Sequence, residues 1–136
     1  MDESEKIREL ATSVRHIFMA ILADCNSGSS TRGTCAHATF LTWQCFEKFS
    51  SYQCILRGGD GAEDGGYIDA SGNRHGHYWL QVDTETGAYI VDITADQFGG
   101  PPVVVLPVTE NVQYLHGQQD LVDEQFIQLF ADIQQA

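Results

Sequence analysis

The stretch Gly33-Thr34-Cys35-Ala36-His37-Ala38-Thr39-Phe40-Leu41-Thr42-Trp43 joins small and polar residues to an apolar helical pattern, with a cysteine at the junction. The helix is expected to start at a Thr34 cap and run to about Phe49, with apolar stripes Ala36-Phe40-Trp43 and Ala38-Leu41-Cys45-Phe49. Two stripes cover most of the circumference, so this reads as the buried central helix. Cys35 then falls in the first turn, pointing the same way as Ala38, Thr39 and Thr42. A first turn offers backbone N–H groups without helical acceptors and the positive end of the dipole. Both favour thiolate and can hold an oxyanion.

Before it, Asp24-Cys25-Asn26-Ser27-Gly28-Ser29-Ser30-Thr31-Arg32-Gly33 is turn and loop chemistry, read as a wall of the site. Further back, Ile7, Leu10, Ala11, Val14, Ile17, Phe18, Ile21 and Leu22 repeat at helical spacing over residues 5–23. That is an amphipathic first helix, with Asp2 or Ser4 to cap it and Glu5, Lys6, Arg8, Glu9 and Arg15 toward water.

After the central helix, Ser51–Arg57 alternates as a strand, and the glycine-rich 58–76 segment reads as a long surface loop or hairpin. Its acidic residues lack the ligand spacing of a calcium loop. The segments 77–83 and 88–93 flank the turn Thr84-Glu85-Thr86-Gly87 and form an antiparallel hairpin. Alternation puts His77, Trp79 and Gln81 on one face of the first strand, and Ile90 and Asp92 share a face of the second. Residues 94–102 are loop, Val103–Val108 is a strand covered on both faces or a sheet edge ended by proline, and residues 121–133 form a closing amphipathic helix.

Composition narrows the function classes. The 136 residues suit one domain spanning 1–136, and 43% apolar content supports a folded core. With 19 acidic against 7 basic side chains, a net charge of −12 disfavours nucleic acid and anionic lipid as partners. No apolar run is long enough to span a bilayer, and the acidic Met1–Glu5 start is not a signal peptide, so a cytoplasmic protein with reduced cysteines is expected. Oligomeric state is not written in the sequence.

A thiol nucleophile needs a setting that favours thiolate, a base, and a polar group that orients the base. Cys35, His77 and Asp92 supply these in chain order. His75 rivals His77, and Asp96 rivals Asp92. Asn26, Ser29 and the helix-start N–H groups are candidates to hold the oxyanion. Thr34, Trp79 and Gln97 are candidates to line the site, with Phe98 read as lining or packing. The other classes are a zinc-binding domain using His75, His77 and Cys25 or Cys35, which lacks the usual ligand spacing, and a binding module without activity.

The Gly33-Thr34-Cys35 helix start, the His77-Tyr78-Trp79 strand and the Val91-Asp92-Ile93-Thr94 strand end resemble the transglutaminase-like branch of the papain-like cysteine enzymes. The resemblance covers roughly residues 30–98 and implies a Cys35-His77-Asp92 triad in a papain-like α+β fold. In that fold the Cys-bearing helix packs on an antiparallel sheet between flanking N- and C-terminal helices. It also implies no metal or other cofactor, and acyl transfer from a protein or peptide amide through a thioester, with hydrolysis as the first reading. The chain departs from papain in having Ala36 after the cysteine and aspartate as third member, and from the Asp-Pro-Thr pattern in having Ile93.

Overall fold

The computed structural model describes residues 2–24 and 34–135. Among them, helices α1 (Glu3–Asp24), α2 (Cys35–Phe49) and α3 (Gln119–Gln135) combine with two antiparallel sheets, giving an α+β architecture. The larger sheet has the order β1 (Gln53–Gly59), β4 (His77–Thr84), β5 (Gly87–Asp92), β6 (Val104–Pro107). The smaller one has the order β3 (Arg74–His75), β2 (Gly66–Ile68), β7 (Tyr114–Leu115).

The helical and two-residue periodicities explain the layers. Ile7, Ala11, Val14, Phe18 and Leu22 form the buried stripe of α1 and meet Ala38 and Phe46 of α2 over Leu80, Val82 and Val91 of the sheet. The opposite face carries Trp79 and Ile90, which pack with Tyr67 and Tyr114 of the small sheet. Phe40 of α2 meets Val122 and Phe126 of α3, so α2 lies between α1, α3 and the sheet. Asp2 caps α1 by accepting the Glu5 N–H at 2.9 Å.

Several expectations change. Arg15 does not face water: it donates to both oxygens of Asp96 at 2.9 and 3.0 Å and to the Ile93 carbonyl at 2.7 Å. Ile17 and Ile21 of the expected stripe are exposed, and so is Phe49 at the end of α2. The buried stripe of α1 is narrower than the apolar one, since Phe18 and Leu22 beside Ile17 and Ile21 are buried. Thr34 occupies the N-cap position without a side-chain capping bond. Among the described residues Val104–Pro107 takes the edge alternative, pairing with β5 alone.

The 58–76 segment is the β2–β3 hairpin rather than an open loop. Its glycines have a steric cause. Gly61 has φ +81, and a side chain there would meet the Gly76 nitrogen at 2.2 Å. At Gly66, φ +126, it would meet the His75 carbonyl oxygen at 2.4 Å. This close backbone approach lets the chain leave the small sheet at His75 and enter the large one at His77.

Candidate functional site

The β4–β5 ladder ends at the pair Leu80 and Val91, and one step further sets Asp92 opposite Trp79. His77 is two residues along on the same face, and its ring reaches diagonally to the carboxylate, Nε2 to Oδ2 at 2.7 Å. Both groups are almost wholly buried, with side-chain exposures of 0% and 1%. Asp92 has further donors. The Thr94 backbone N–H reaches Oδ1 at 2.9 Å with the Thr94 hydroxyl at 3.4 Å, and the Tyr114 hydroxyl donates to Oδ2 at 2.7 Å.

Burial pulls the imidazole pKa down, but the charge and hydrogen bond of Asp92, with those of Cys35, outweigh it and leave His77 pushed up to about 9. For Asp92, burial raises the carboxyl. The His77 charge and hydrogen bond, the Thr94 N–H and the Tyr114 hydroxyl overcome that and hold it below its ordinary 3.8. The pair is therefore an imidazolium facing a carboxylate.

With Nε2 committed to Asp92, the ring presents Nδ1 to Cys35. The thiol lies near enough to act on His77, and its charge also helps, after burial, to raise the hydroxyl pKa of Tyr78. Among the described residues Nδ1 is a buried polar atom without a partner in full hydrogen-bond geometry. The contact with the half-buried Cys35 is thus looser than the His77–Asp92 bond. Cys35 opens α2, and the first intrahelical bond of that turn runs from the Ala38 N–H to the Thr34 carbonyl at 2.9 Å. The N–H groups of Cys35, Ala36 and His37 precede any helical acceptor.

Aromatic rings enclose the imidazole. Phe98 meets it edge-on with centroids 5.2 Å apart, Tyr67 at 5.7 Å, and Trp79 lies tilted at 6.1 Å. Phe98 ends the 3-10 turn Ala95–Phe98, which the Arg15–Asp96 pair ties to α1. On the far side of Phe98, His75 stacks on the same ring at 4.3 Å and pairs with Asp69 at 2.7 Å.

The structure thus brings together Cys35, His77 and Asp92, with Trp79 beside them and Thr34 next to the cysteine. Both rivals are engaged elsewhere, His75 with Asp69 in the small sheet and Asp96 with Arg15. Gln97 is half-buried and donates to the Thr94 carbonyl at 3.0 Å, which holds the turn after Asp92. Asn26, Ser29 and Cys25 lie outside the described residues. Among the described residues no group of three His, Cys, Asp or Glu side chains is placed to hold a metal ion. No helix there is long and apolar enough to cross a membrane.

Sequence reading missed Tyr114 and Tyr67. Tyr114 lies in Asn111-Val112-Gln113-Tyr114-Leu115, which has neither helical nor strand periodicity. The available signal is Asn111, whose side chain accepts the Tyr114 N–H at 2.8 Å and donates to its carbonyl at 2.6 Å. The chain matches no family model, no curated protein and no solved structure.

Proposed function

We propose that this protein is a thiol-dependent acyl-transfer enzyme of transglutaminase-like, papain-like type that hydrolyses an amide of a peptide, an isopeptide or a glutamine side chain. One observation carries the reading: a buried imidazole is fixed by Asp92 through Nε2 at 2.7 Å and turns Nδ1 toward a cysteine at a helix start. An isolated structural histidine on a strand needs no such partner on its second nitrogen. The α+β architecture, with the cysteine helix packed on an antiparallel sheet, supports the papain-like assignment that the three motifs imply.

In the cycle, Cys35 acts as a thiolate whose proton rests on Nδ1 of the His77 imidazolium, and the sulfur attacks the amide carbonyl. The tetrahedral oxyanion is held by N–H groups of the first turn of α2. The C–N bond breaks as His77 returns the proton to the leaving amine, and a thioester remains on Cys35. Water attacks the thioester while His77 takes its proton, and the sulfur departs as thiolate, which restores the imidazolium pair. An imidazole pushed up to about 9 holds its proton long enough to serve the leaving group at neutral pH.

A quenched fluorescent peptide library and a glutamine-amide ammonia-release assay test the reading with wild type, Cys35→Ala and His77→Ala. Turnover that both substitutions abolish supports it. A folded wild type with no turnover, whose Cys35→Ala form still binds a peptide equally well, would instead indicate a binding module.

A further inference from the structure

We infer that Tyr114 is a positioning residue, its hydroxyl fixing the proton of His77 on Nε2 by sharing Asp92 Oδ2 with it. The inference rests on the triad reading for its catalytic consequence, although its physical content concerns His77 and Asp92 alone.

The argument begins with the carboxylate. Asp92 Oδ2 receives both the imidazole Nε2 and the Tyr114 hydroxyl at 2.7 Å, while Oδ1 receives the two donors of Thr94. In a site this dry, a carboxylate with the imidazole as its main donor has a high proton affinity, and the shared proton is drawn toward Oδ2. A second strong donor on the same oxygen lowers that affinity, so the proton stays on Nε2 and the proton the imidazolium gives up is the one on Nδ1, toward Cys35. Tyr114 is suited to this work because burial, followed by the charge and hydrogen bond of Asp92, drives its own pKa far above 10.0. Its hydroxyl therefore donates throughout the working range.

The surrounding structure is built to aim that hydroxyl. Tyr114 is 3% exposed, edge-on to Tyr67 at 5.0 Å and to Trp79 at 5.1 Å. Its backbone is clamped on both sides by the Asn111 amide and paired with Tyr67 in the small sheet. A two-residue strand adds little stability of its own, so its place in the fold is explained by the ring it delivers behind Asp92. The other titratable groups around the imidazole are Cys35 and Tyr67, with His75 beyond Phe98.

The test is nitrogen-15 NMR of His77 in the full-length protein, at a pH below the value of about 9 where the ring is protonated. Wild type should show both ring nitrogens protonated. Tyr114→Phe should move Nε2 toward the unprotonated shift as its proton passes to Oδ2 while Nδ1 stays protonated, and 3-fluorotyrosine at 114, a stronger donor of nearly the same shape, should not. Tyr114→Phe should also slow Cys35 alkylation about 10- to 100-fold, the range seen when a partner behind a functional histidine is lost. In an Asp92→Asn background the same change should have less than about 2-fold effect, because groups acting through one another are not additive. Unchanged shifts in a folded Tyr114→Phe protein overturn the proposal. If that variant does not fold, wild-type and fluorotyrosine shifts that both show an unprotonated Nε2 overturn it instead. Altered shifts with an unreactive Cys35 uphold the positioning of His77 and count against the enzyme reading.

Discussion

His77 and Asp92 are bonded across a strand pair without being cross-strand partners. The carboxylate stands opposite Trp79, and the imidazole reaches it from two residues away at 2.7 Å. That diagonal keeps the Trp79 ring beside the imidazole, centroids 6.1 Å apart, and leaves Nδ1 free of Asp92 for the cysteine that opens α2. The catalytic geometry proposed here follows from this offset.

Replacing Asp92 with Asn keeps the shape and removes the charge that raises the His77 pKa. The alkaline limb of kcat/KM, set near pH 9 by loss of the His77 proton, should move to lower pH. The rate should fall roughly 10²- to 10⁴-fold, as when a histidine base loses its ionised orienter. A pH–rate profile that keeps both its limb and its height would show that Asp92 does not govern His77.

The same pair should give stability a defined pH window. His77 has a raised folded pKa, so its contribution is fully present below the unfolded value of 6.5 and is lost as pH rises through about 9. Asp92 has a lowered folded pKa, so its contribution is present above 3.8 and is lost as pH falls through the folded value. Urea unfolding of wild type and Asp92→Asn should therefore differ most between 3.8 and 6.5, with the gap closing on either side. A gap that does not vary with pH contradicts the ion pair.

Arg15 fastens α1 to the turn that carries Phe98, through a two-pronged contact with Asp96 and a bond to the Ile93 carbonyl. Arg15→Ala should cost about 1–2 kcal/mol, allowing for the partial exposure of Asp96. It should also increase the exchange of the His77 ring proton as Phe98 loosens. A loss below about 0.5 kcal/mol, with exchange unchanged, would mean that the turn holds its place without α1.

Much of this fold is legible in the sequence wherever a pattern is long enough to repeat. Residues 5–23 and 121–133 carry several helical turns of apolar spacing, and the hairpin around Thr84–Gly87 has alternation on both sides, so their elements follow from periodicity. The small sheet does not, because strands of two and three residues are too short to alternate. Arg15 looked like one more charge on a polar face, since nothing local marks a partner 81 residues away. The candidate site divides the same way. Cys35, His77 and Asp92 sit in elements with clear patterns, whereas Tyr114 is delivered by a segment whose only local mark is an asparagine clamp. Its role depends on a contact 22 residues back in the chain.

The most direct measurement is the relative rate at which the native protein's four cysteines are alkylated by iodoacetamide, read by peptide mass spectrometry. Burial raises the Cys45 thiol, and burial with the charges of Glu47 and Asp83 pushes Cys54 up to about 12, so both should react slowly. The account predicts that Cys35 is modified first and that His77→Ala slows it selectively. Cys35 reacting no faster than Cys45 or Cys54, or at a rate indifferent to His77, would contradict it.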